Sequence, residues 1–153
     1  MCLSSGIYFS ALQLKKKPVL ISEDQTQRLI LLAFQQRPLL FKELLNQTTL
    51  GKDILHWPKD HNGESLLHWS ALGGCSSCVD ILLSMGHPID LKNDKGRDAL
   101  SYAVEFEDIE LIEKLLSSGA NPHSFKDENG ASLRELVRRM GNDEITELFK
   151  RYK

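Results

Sequence analysis

Cysteine is scarce in this chain. Only Cys2, Cys75 and Cys78 occur among 153 residues, and so low and odd a count gives no disulfide framework. A reducing compartment is the expectation, and the localisation is read as cytoplasmic unless the protein is delivered into another cell. A surplus of one charge is missing as well: 19 Lys and Arg face 21 Asp and Glu, for a formal net charge of -2. Dedicated nucleic-acid binders normally carry a basic excess, so no nucleic-acid partner is expected. Long apolar runs are also absent. Leu29-Ile30-Leu31-Leu32-Ala33-Phe34 is the strongest, far short of the roughly 20 residues that span a bilayer. Near the N-terminus, Lys15 to Lys17 follow the apolar part instead of leading it, the wrong order for a secretory signal. Cys2 stands where myristoylation needs glycine. No membrane association is expected.

Catalytic signatures are missing too. There is no Gly-rich phosphate loop, no G-x-S-x-G and no paired-carboxylate pattern. Neither catalytic residues nor a cofactor is assigned, and the protein is read as a non-enzyme.

What the chain does contain is a period. Gly63 to Gly96, Leu67 to Leu100 and Gly86 to Gly119 are each steps of 33 residues. A fixed step of this size is the mark of stacked repeats. Ser22 is a plausible N-cap with Gln25 three residues on, starting a helix to about Gln36. Pro38 suits the first turn of a second helix, to about Asn46. The connection 47–58 is longer and breaks the period. Then a turn at Asp60–Gly63 leads into helices near Ser65–Leu72 and Ser77–Ser84, the second ended by Gly86. The next unit places helices near Asp98–Phe106 and Ile109–Leu116, and the last near Ser132–Arg139 and Asp143–Arg151. Helices this short are unstable alone. Paired apolar residues at Leu82-Leu83, Leu115-Leu116 and Leu148-Phe149 let stacked units bury one continuous seam. Loss of one such residue, as in Leu82→Ala, is expected to cost roughly 2–5 kcal/mol.

These residues carry a family resemblance. Asp60, Gly63, Ser65, Leu67, His68, Ala71, Gly74, Val79, Leu82, Leu83 and Gly86 match the ankyrin-repeat motif, as do Gly96, Leu100, Ala103, Ile112, Leu115, Leu116, Gly119, Ala120 and Asn121. The last unit departs from it: Gly130 comes 34 residues after Gly96, and Arg134 stands where the motif has Leu. The resemblance implies an all-α repeat, an ankyrin-type solenoid of about four stacked helix-turn-helix units with short finger loops. Residues 1–22 form an extension (a hairpin, a packed strap or a disordered tail). Residues 23–153 form one domain with units near 23–58, 59–91, 92–125 and 126–153. The outer two units act as caps, whose outer faces should be polar.

Ankyrin repeats usually engage partners through the concave face. Carried over position by position, the resemblance assigns partner binding to His61, Asn62, Glu64, Leu72, Asp94, Lys95, Arg97, Glu105, Phe106, Arg139 and Met140, with Glu128, Asn129 and Ala131 at the last finger. Phe34 and Gln35 continue the face in the first unit. Phe34, Leu72, Phe106 and Met140 would form an apolar strip between charged rims, the ordinary build of a binding surface. The expected function is a protein-protein interaction module, monomeric, acting on another protein as an inhibitor or immunity protein or as an adaptor or effector. His68 is assigned to hydrogen-bonding of neighbouring turn backbone, and Asp60, Asp94 and Asp127 to turn chemistry at successive finger tips. The alternative is a zinc- or redox-dependent protein that uses Cys75, Cys78 and a nearby histidine, since C-x-x-C at a helix start can lower a thiol pKa. Four ligands for zinc are not in evidence.

Overall fold

The computed structural model describes residues 23–47, 59–127 and 129–152. The extension 1–22 and the connection with His56, Trp57 and Pro58 lie outside the described residues. Among the described residues eight helices follow one another in consecutive pairs: α1 Glu23–Phe34 and α2 Pro38–Gln47, α3 Leu66–Leu72 and α4 Ser76–Ser84, α5 Ala99–Glu105 and α6 Ile109–Ser117, α7 Leu133–Met140 and α8 Asp143–Arg151. The all-α repeat implied by the resemblance is what the described residues form.

Three chemistries start the first helix of a pair at one register. At α3 the backbone N–H of Ser65 donates to His68 Nδ1 at 3.0 Å. At α5 Asp98 Oδ1 accepts from the Ser101 N–H at 2.8 Å. At α7 the Ser132 N–H donates to Glu135 Oε2 at 2.7 Å, a capping box. Each satisfies a donor that the helix start leaves unpaired. The second helices are capped likewise by Asp108 and Asn142, which accept from the N–H groups of Leu111 and Ile145.

The first helices form one row, α1 on α3 and α3 on α5, and the second helices another, α2 on α4, α4 on α6 and α6 on α8. Between the rows runs the apolar seam, with Leu29, Phe41, Leu67, Leu82, Leu100, Leu115 and Ile145 buried. The α1–α3 approach is tight because residue 73 is glycine: a Cβ there would meet Phe34 Cα at 2.6 Å and the Ala33 carbonyl at 2.9 Å. The inner row does not continue so closely. α7 packs on α8 but not closely on α5. Arg134, in place of the seam leucine, donates to the Tyr152 carbonyl at 2.6 Å instead.

The two ends differ. Arg138 and Glu147 are exposed on the last pair, as a cap requires. On the first pair Leu31, Leu39 and Leu40 are exposed, Leu39 by 83%, which is apolar surface where a terminal cap is ordinarily polar.

Candidate protein-binding face

Each finger is a turn held by one side-chain oxygen. Asp60 Oδ1 accepts from the N–H groups of Asn62 and Glu64 at 2.8 and 2.9 Å. Asp127 Oδ1 accepts from Asn129 and Ala131 at 2.9 and 2.7 Å. In the middle finger the same job falls to Asn93, whose Oδ1 accepts from Lys95 and Arg97 at 2.9 and 2.8 Å. The assignment of this role to Asp94 is therefore corrected to Asn93, 33 positions after Asp60. Asp94 is free to face solvent, and its N–H donates to the Asn62 carbonyl of the preceding finger at 3.1 Å. Gly63, with φ +73°, lies against it; a Cβ there would meet Asp94 Oδ1 at 2.5 Å.

A buried polar node locks the first finger to the second. Glu64 Oε1 accepts from Asn93 Nδ2 at 2.6 Å and from the Tyr102 hydroxyl at 2.5 Å. Burial, then the hydrogen bond and charge of Glu64, hold the Tyr102 phenol above its ordinary pKa, so it stays a donor. His68 completes the lock. Its Nε2 lies 3.0 Å from the Arg97 carbonyl, which can only accept, so the proton sits on Nε2 and Nδ1 faces Ser65 as an acceptor. Burial lowers the His68 pKa, against the opposing pull of Glu64, and the ring is neutral at pH 7. This is the structural role assigned to it. Arg97 in turn lies 4.1 Å over the Tyr102 ring and pairs with Glu105.

Beside Arg97 a cleft of about 690 Å³ opens between α5 and α7 and between the second and third described fingers. Val104, Phe125, Leu133, Leu136 and Met140 line it, with Lys95, Arg97, Glu105, Lys126, Asp127 and Arg139 among its polar residues. It occupies the place where α7 stands off from α5.

The structure sorts the sequence-derived residues. Lys95, Arg97, Glu105, Arg139 and Met140 come together at this cleft. His61, Asn62 and Asp94 are exposed on fingers outside it. Phe106 ends α5 and is 60% exposed. Two residues depart from expectation. Glu64 is buried because its carboxylate is the acceptor of the inter-finger node. Leu72 is half-buried, packs on the core and does not line the cleft. Phe34 is exposed, edge-on to Trp69 at 6.4 Å. Glu128 lies outside the described residues. Sequence reasoning missed Lys126, Phe125 and Leu136. A signal for Lys126 existed: Lys59, Lys92 and Lys126 recur at the finger bases with the repeat.

The cysteine reading also needs correction. Cys75 and Cys78 are joined in a disulfide. Their positions at the N-cap and third residue of α4 bring the Cα atoms to 5.2 Å, within bridging range, so a local helix start achieves what a low cysteine count did not suggest. The count consequently says nothing about compartment. In this state neither sulfur has a thiolate to offer zinc, and among the described residues no group of three His, Cys, Asp or Glu is placed to hold a metal. None of the described helices is long and apolar enough to cross a membrane.

A family model described as ankyrin repeats in three copies matches residues 29–126. This is well over half of the chain, which belongs to the ankyrin-repeat family. Among similar proteins, the putative ankyrin repeat protein L271 of Acanthamoeba polyphaga mimivirus is 39% identical over 72 residues, covering 47% of this chain and 10% of that protein. The B-cell lymphoma 3 protein homolog of Mus musculus is 35% identical over 97 residues, 62% of this chain and 21% of that one. The ankyrin repeat and SOCS box protein 14 of Mus musculus is 27% identical over 100 residues, 60% of this chain and 16% of that one. The chain thus spans about a tenth to a fifth of the length of these relatives. Ankyrin repeats are in general protein-protein interaction modules.

Proposed function

We propose that this chain binds a partner protein through its concave face and finger loops and acts by occupying that partner's surface, without catalysis. In that role it serves as an inhibitor or immunity protein, or as an adaptor or effector. The observation that carries the reading is the convergence of Lys95, Arg97, Glu105, Arg139 and Met140 on one groove: an apolar floor with a charged rim is how recognition surfaces are built. A soluble, cytoplasmic monomer is the state proposed for it.

The test is affinity capture from the native cell with the wild-type chain and with Phe106→Glu. Phe106 is exposed at the end of α5, outside the cleft. The expected result is a stoichiometric partner retained by the wild type and lost from the variant, with the melting temperature nearly unchanged. Retention of the same partner by Phe106→Glu and by a cleft variant, Met140→Glu, rejects this face. If the variant unfolds, Phe106→Ala makes the same comparison.

The redox alternative has one observation in its favour, the Cys75–Cys78 disulfide. Both residues are buried, which restricts exchange with an outside thiol.

A further inference from the structure

We infer that the cleft between α5 and α7 is a docking slot for a short extended segment of a partner protein that carries one large apolar side chain flanked by carboxylates. The inference rests on the protein-binding reading above and names the chemistry of what is bound.

The floor dictates the first half of that chemistry. Val104 and Leu133 are buried, Leu136 is half-buried and Met140 is 38% exposed. A cleft of about 690 Å³ is far larger than one side chain, so it takes a side chain together with a stretch of backbone. Its position supports the same reading. The slot runs from two finger loops along two helices, and an extended chain can cross it without entering a closed cavity.

Charge dictates the second half. Four cations, Lys95, Arg97, Lys126 and Arg139, and two anions, Glu105 and Asp127, line the cleft. Both anions already have arginine partners: Glu105 pairs with Arg97, and Asp127 lies 3.8 Å from Arg139. Asp127 also spends Oδ1 on the finger turn. Lys95 and Lys126 are exposed and have no ion-pair partner among the described residues. The slot is thus locally positive on a chain whose net charge is -2. Two unpaired ammonium groups over an aliphatic floor complement carboxylates beside an apolar residue. A single-stranded nucleic acid fits less well. It needs a longer basic track and exposed aromatic faces for stacking, whereas Phe125, the aromatic residue of the slot, is buried.

The slot lies where the last repeat departs from the others. Arg134 replaces the seam leucine and is held by the Tyr152 carbonyl and over the Phe149 ring, 5.9 Å away. The inner helix of the last pair does not close on α5 as α5 closes on α3.

The test is fluorescence anisotropy of the full chain with a labelled synthetic peptide holding one leucine between aspartates in a glycine-serine background. Saturable binding is expected, weakened about tenfold or more when lysines replace the aspartates or alanine replaces the leucine. Lys95→Glu with Lys126→Glu should weaken it similarly, with an unchanged melting temperature. If that pair unfolds the chain, Lys95→Ala with Lys126→Ala makes the same comparison. Absence of saturable binding, equal binding of the lysine peptide, or tighter binding of a poly-deoxythymidine oligonucleotide overturns the inference. Failure here is separable from failure of the broader reading. A captured partner that is lost with Phe106→Glu yet indifferent to the lysine variants upholds the concave face and rejects this slot.

Discussion

The Tyr102 hydroxyl donates to Glu64 Oε1 at 2.5 Å across 38 positions of sequence. This bond ties the inner helix of one repeat to the finger of the repeat before it. Tyr102→Phe keeps the ring that Arg97 covers but removes the donor, leaving a buried carboxylate with one partner fewer. A loss of about 1–3 kcal/mol is expected. Urea unfolding checks it, and Tyr102→Leu, which also removes the ring, should cost more.

Gly73→Ala tests the spacing of the inner row. The added Cβ would fall 2.6 Å from Phe34 Cα, and backbone cannot yield as a flexible side chain can. The variant should lose roughly 1–3 kcal/mol through overpacking. A thermal midpoint equal to wild type would show that α1 can move away from α3 at no cost.

His87 gives the protein an acid limb. Burial lowers its pKa from 6.5 to about 4, against the Pro88 carbonyl, which favours the proton. Between these values the unfolded chain holds more protons than the folded one. Stability is therefore full above about pH 6.5 and falls as pH drops toward 4. The contribution at stake is on the order of 3 kcal/mol. His68, lowered by the same cause, acts with the same sign. Urea midpoints measured between pH 7 and pH 4 should fall steadily. In His87→Ala, which copies Ala120 of the next repeat, that slope should be shallower.

Cys75 occupies the cap position that Asp108 and Asn142 fill in α6 and α8. Its disulfide spans a separation of only three residues, so breaking it releases little chain entropy, about 2 kcal/mol at most. Reductant should lower the melting temperature of the wild type modestly. The double variant Cys75→Asp with Cys78→Leu, the residues of the matching α6 positions, should melt near the oxidised wild type and ignore reductant.

Much of this was legible in the sequence because a repeat signals itself many times. Gly63 and Gly96, Leu67 and Leu100, and Gly86 and Gly119 each report one register, and together they located the four central helices, α3 to α6, to within a residue or two. Glu64 shows where such reading ends. Its place in the motif is a finger position, and only the arrival of Asn93 and Tyr102 from the next repeat turns it inward. Asn93 shows a related limit. An aspartate beside it at position 94 looked like the turn residue, and the hydrogen bonds chose its neighbour. Cys75 and Cys78 show a third: a count of cysteines describes a framework but not a bridge between two residues of one helix turn.

By itself, then, the sequence determined the repeat, its seam and the turn residues that recur with it, because these depend on local spacing and on burial that every unit shares. The cleft between α5 and α7 was decided by tertiary structure. It exists because one inner helix stands off from its neighbour. That distance is a relation between two repeats, α5 of one and α7 of the next, and no spacing within either repeat sets it.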